Sequence, residues 1–158
     1  MGSFDERGVK IAQAVGDFLI KNNISIGILG NEEISDGNEV KAMGESGLFE
    51  VLAERNIEKF RKLAVKKILT LSPHAYNSMK NEYGKGGGDF EVFHYTQLLA
   101  KLIEDGKLSI SGFKKKVTYH DPCYLDRHNQ EYDAPRKILK SIPGIDFREM
   151  ELIKEEAF

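Results

Sequence analysis

Residues 115–125 read Lys-Lys-Val-Thr-Tyr-His-Asp-Pro-Cys-Tyr-Leu. A short β-branched and aromatic run breaks off at a polar pair and a proline. The same grammar occurs upstream, where residues 66–77 read Lys-Lys-Ile-Leu-Thr-Leu-Ser-Pro-His-Ala-Tyr-Asn. A proline fits the first turn of a helix, because that position has no intrahelical partner for its N–H. Both stretches therefore predict a strand followed by a helix, with strands over 66–71 and 115–119 and helices over 73–83 and 122–129. Working outward, residues 24–29 (Ile-Ser-Ile-Gly-Ile-Leu) predict a buried strand, 90–95 another, and 145–150 an edge strand. Helical spacing of apolar residues predicts helices over 5–22, 48–64, 96–105 and 135–141, with a short one at 38–43. Gly106 stands where a helix C-cap is expected. Strands separated by helices predict an α/β fold: a mostly parallel sheet of about four or five strands flanked by helices, Rossmann-like, in one domain over 1–158. In such sheets sites form at the carboxyl ends of strands.

The chain has 158 residues, 41% apolar and 30% charged, enough to bury the core of a soluble domain. Its 23 basic and 25 acidic residues leave a net charge of −2, which offers no footprint for nucleic acid or an anionic membrane. No apolar run approaches the length of a membrane span, and the opening MGSFDERG lacks the apolar core of a signal peptide. A cytoplasmic setting is expected. One cysteine excludes an internal disulfide and an all-cysteine metal site built by one chain.

The densest chemistry is His120-Asp121-Pro122-Cys123-Tyr124. With Pro122 in a first helical turn, Cys123 would meet free N–H groups and the positive end of the helix dipole, both of which favour a thiolate. The plainer alternative is a half-buried cysteine beside a histidine bonded to backbone. Ser72 reads first as a helix cap; no G-x-S-x-G surrounds it, so a nucleophile is the weaker reading. The glycine-rich 84–88 follows a helix and lacks the Lys-Ser/Thr ending of a phosphate loop, so a flexible loop is expected. A zinc site drawn from His74, His94, His120, His128 and Cys123 matches no standard spacing. Glu32, Glu33 and Asp36 are expected to be solvated loop residues.

Taken in order, several segments resemble one known family. They are Gly30-Asn31-Glu32-Glu33, Gly44-Glu45-Ser46-Gly47-Leu48-Phe49, Ser72-Pro73-His74-Ala75-Tyr76-Asn77, His94-Tyr95-Thr96-Gln97, His120-Asp121-Pro122-Cys123-Tyr124-Leu125 and Ile142-Pro143-Gly144. Over residues 24–158 the chain resembles the cysteine-rich (CCG) domain family of heterodisulfide reductase-like Fe–S oxidoreductases. The family pattern is a lone Cys, a Cys-Cys pair, then Cys-x-x-Cys, often in two copies, and its cysteines hold [4Fe–4S] clusters. The resemblance implies that residues 1–110 correspond to the end of a first copy and 111–158 to the start of a second. It makes Cys123 a cluster-ligand position, and Ser35, Ser72 and Ala75 ligand positions whose cysteine is replaced. His74, His94, His120 and Asp121 would line the pocket and hydrogen-bond sulfur.

Serine and alanine are the usual replacements for cysteine, so the pattern reads as engineered removal or as a natural degenerate paralogue. The resemblance implies electron transfer and disulfide reduction in a parent oxidoreductase working with other redox subunits. No catalytic residue and no bound cluster or metal are expected in this chain. The alternative is a non-catalytic α/β scaffold or docking module. A thiol enzyme pairing Cys123 with His120 is the weakest reading, because nothing orients a base.

Overall fold

A computed structural model describes residues 5–156, which fall into two compact units divided after Glu33. In the first, helix α1 spans Glu6–Lys21 and starts at Asp5, whose carboxylate accepts the Gly8 amide at 2.8 Å. Residues 24–29 are a correction: they form no strand. Ile26 and Ile28 stand 39% and 85% exposed, and the run meets no strand partner among the described residues. A β-branched run becomes a strand only when a neighbouring edge takes its hydrogen bonds.

The second unit begins with α2 (Asn38–Ala42) and α3 (Ser46–Lys62), which buries Phe49, Ala53, Ile57 and Phe60 on one stripe. Then come β1 (Lys67–Thr70), α4 (Pro73–Asn81), β2 (Glu91–His94) and α5 (Tyr95–Glu104). They are followed by β3 (Lys115–Val117), α6 (Asp133–Ser141) and β4 (Ile145–Phe147). β1 pairs parallel with β2, from Lys67 with Glu91 to Thr70 with His94; β3 pairs parallel with β4. Each pair is a strand–helix–strand unit, as parallel strands require a crossover.

The pairing is parallel as expected, but the described residues form two sheets of two strands, not one of four or five. Their carboxyl ends flank a hollow of about 380 Å³ lined by Leu71, His94, Leu99, Tyr119, Leu125 and Leu139 among others.

Two further expectations are corrected. Residues 123–129 form turns, not a helix. The glycine-rich segment is not a structureless loop, although residues 84–87 are exposed. It forms a 3₁₀ helix over Tyr83–Gly86, Gly88 is buried, and a Cβ on Gly88 would meet the Phe90 ring and the Tyr83 carbonyl, both at 3.0 Å. The Gly106 cap does form, at φ +65°, with its amide on the Ile103 carbonyl at 3.0 Å.

Candidate functional site

Helix α4 is the element to which the segments carrying Ser35, Ser72 and Cys123 are tied. Its start is dictated locally. The Ser72 hydroxyl accepts the Ala75 amide at 3.4 Å, Pro73 occupies the first turn, and Thr70 donates to the Ser72 carbonyl at 2.8 Å. Ala75 and His74 therefore project from a capped first turn.

The loop bearing Ser35 is tied to the same helix. The Ser78 hydroxyl on α4 and the Tyr83 hydroxyl both donate to the Asp36 carbonyl at 3.1 Å. The Asn56 amide on α3 donates to the Ser35 carbonyl at 3.0 Å and to the Tyr83 hydroxyl at 2.9 Å. Gly37 turns the loop at φ +84°, where a Cβ would sit 2.8 Å from the Phe49 ring. Asp36 differs from the solvated residue expected. It is half-buried, accepts the Asn38 amide at 2.9 Å, and burial raises its pKa, opposed in part by that amide and by the field of His74. Glu32 and Glu33 are exposed.

The third segment is the turn bearing Cys123. The Tyr124 ring lies 4.6 Å from His74 and 4.9 Å from His128, and the Asn129 amide donates to Asn77 on α4 at 3.0 Å. Cys123 is exposed, and its sulfur accepts from Arg127 Nη2 at 2.9 Å. The helix dipole expected beside it is absent, since no helix follows. The guanidinium, not His120, is the group hydrogen-bonded to the thiol; His120 is exposed.

His94 and Asp121 lie inside the protein. The buried His94 ties the strand ends together: Nε2–H donates to the Leu71 carbonyl at 3.2 Å, and the Thr96 hydroxyl donates to Nδ1 at 2.8 Å. Burial lowers its pKa to about 4 against the opposing Leu71 bond, so the ring is neutral at pH 7. Asp121 is 1% exposed and takes Arg136 Nη1 at 2.6 Å, Nη2 at 2.8 Å and the Lys154 amide at 2.9 Å. Burial opposes its ionisation, but Arg136 and the other donors outweigh it and bring its pKa down to about 2. Arg136 is held in turn by Glu149 and the Tyr132 carbonyl.

Sequence reasoning missed Asn56, Ser78, Tyr83 and Arg136. The available signal was Asn56, a polar residue on the apolar stripe of α3: a buried amide needs partners, so it marks an anchoring point. Among the described residues no three metal-ligating side chains converge, so the five-residue zinc set does not assemble.

A four-iron cluster takes thiolate ligands. The positions in question offer one thiol, on Cys123, the Ser35 and Ser72 hydroxyls, both accepting backbone amides, and the Ala75 methyl. The residues present do not fit the group.

Residues 117–157 match the cysteine-rich domain family CCG. Over 98% of its length the chain is 47% identical to a probable iron-sulfur-binding oxidoreductase FadF of Bacillus subtilis, covering 22% of it. It is 43% identical to the EtfAB:quinone oxidoreductase of Syntrophomonas wolfei, over 99% of the chain and 22% of the relative. It is 36% identical to a component of the dihydromethanophenazine:CoB–CoM heterodisulfide reductase of Methanosarcina mazei, over 92% of the chain and 37% of the relative. The chain thus spans between about a fifth and somewhat over a third of these relatives. No solved structure matches it.

Proposed function

We propose that the chain belongs to the CCG cysteine-rich domain family of heterodisulfide reductase-like iron–sulfur oxidoreductases, and that it is the segment of such an enzyme that frames a cluster pocket; the match over 117–157 and the likeness to iron-sulfur relatives support this. As this chain it is inactive. The parent activity is electron transfer with disulfide reduction, carried out in the cytoplasm beside other redox subunits. Residues 1–110 correspond to the end of a first CCG copy and 111–158 to the start of a second, a division that the match over 117–157 supports. Cys123 holds a ligand position, and Ser35, Ser72 and Ala75 hold emptied ones. His74, His94, His120 and Asp121 are the groups that line this pocket as hydrogen-bonding side chains; His74 lies beside Tyr124, and its charge acts on Asp36.

One observation carries this reading: three segments bearing ligand positions are each bonded or stacked onto α4, yet they bring one thiol between them. The single thiol equally favours a cluster-free scaffold or docking module within the same family. No described helix is long and apolar enough to cross a membrane, which suits either reading.

The test is anaerobic incubation of the purified chain with iron and sulfide, followed by its visible spectrum. No stable brown chromophore and no stoichiometric iron are expected. A cluster spectrum with stoichiometric iron overturns the reading.

A further inference from the structure

We propose that residues 24–29 are a docking strand for a second copy of this chain, the two runs pairing antiparallel about Gly27. Ile24, Ile26 and Ile28 alternate along the run, so an extended backbone sets them on one side. Ile28 is 85% exposed and packs on little of its own chain. Only the ends of the run are tied to backbone. The Ile24 amide donates to the Leu19 carbonyl at 2.9 Å, and the Leu29 carbonyl accepts the Glu32 amide at 3.1 Å. From Ser25 to Ile28 no backbone group meets a backbone partner among the described residues. An unpaired, uncharged edge of this kind is a template for another strand. Gly27 points the same way. A Cβ there would meet nothing within 4 Å, so no contact among the described residues calls for glycine. Glycine inside a strand-like run often marks the place where another backbone passes close.

Charge selects the occupant. Lys21 precedes the run, Glu32 and Glu33 follow it, and all three are exposed. Antiparallel pairing of two copies brings the basic end of each run to the acidic end of the other. Parallel pairing would set lysine against lysine and glutamate against glutamate. With Gly27 facing Gly27, Ile26 of one copy faces Ile28 of the other, and two-fold symmetry repeats the pair. None of these residues holds a ligand position, so the inference stands apart from the iron–sulfur reading.

The experiment is sedimentation velocity of the whole chain over roughly 1 µM to 1 mM, the range in which a small strand-to-strand contact saturates. A monomer–dimer equilibrium is expected, and the amides of 25–28 gain protection from hydrogen exchange as concentration rises. Ile28→Lys should raise the dissociation constant at least about thirtyfold, because symmetry places the lysine in the contact twice. Its urea midpoint under monomeric conditions should match that of the wild type, since Ile28 is exposed. Lys21→Glu should raise the dissociation constant about tenfold, and adding Glu33→Lys to it should restore the wild-type value, because the pairs are then exchanged end for end. A chain that stays monomeric, an assembly that grows past the dimer, or a dimer indifferent to Ile28→Lys or to Lys21→Glu overturns the proposal. Should Ile28→Lys fail to fold, exchange at 25–28 in the wild type decides: protection that does not change with concentration refutes the docking strand.

Discussion

Ser72-Pro73-His74-Ala75 and Asp121-Pro122-Cys123-Tyr124 are the same design used twice, and only the first makes a helix. Each follows a parallel strand and places a good cap residue before a proline. Ser72 commits its hydroxyl to the Ala75 amide three residues on, and α4 grows from that cap. Asp121 commits its carboxylate to Arg136 and to the Lys154 amide, 15 and 33 residues away. A capping side chain taken by tertiary partners no longer caps, and residues 123–129 stay as turns. The first site is local in its logic, whereas the second is part of a buried charged network. Cys123 owes its exposed place beside Arg127 to that network rather than to a helix dipole.

The difference is broken most severely at Arg136. Arg136→Leu leaves Asp121 buried without its cation, and urea unfolding should show a loss of about 3–5 kcal/mol. A loss below about 1 kcal/mol would mean that the second turn, like the first, stands on local interactions.

Acid separates the two turns next. Asp121, held at about 2 against an ordinary 3.8, contributes stability that is complete above 3.8 and lost as pH falls towards 2. Asp121→Asn should remove that limb from the stability–pH curve. If the acid limb survives the substitution, other carboxylates carry it.

On the first turn the corresponding titration belongs to His94. Its pKa lies at about 4, below the ordinary 6.5, so its contribution is complete above 6.5 and fades as pH falls through 4. His94→Gln should flatten the profile between those values; an unchanged profile would place His94 in contact with solvent. The smallest effect is expected at Ser72. Ser72→Ala should cost about 0.5–2 kcal/mol and Ser72→Asp should restore it, read from thermal midpoints.

How much was legible in the sequence follows the same division. Local rules were enough for the Ser72 cap, the Gly106 stop and the amphipathic stripe of α3. Nothing within a few residues of Asp121 announces that its partner is Arg136, so the expected helix at 122–129 was drawn from its proline alone. Residues 24–29 had the composition of a strand but not the partner that makes one. The glycines at 84–88 looked loose because composition cannot show that Ile57 and Phe90 pack against Gly88. At the candidate site, Ser35, Ser72, Ala75 and Cys123 come from the family pattern alone and remain proposed positions. Of the anchors that tie these segments to α4 and α3, Asn56 left a trace as a polar residue on an apolar stripe, whereas Ser78 emerged only from the fold.

The central claim is that this frame is built by α4 and the Asp121–Arg136 network and needs no iron. The direct measurement is the thermal unfolding midpoint of the chain in excess chelator and again after anaerobic incubation with iron and sulfide. A ligand bound by the folded state alone raises that midpoint. The same cooperative transition at the same midpoint is predicted in both. A chain that is unfolded in chelator, or that gains several degrees with iron and sulfide, would contradict it.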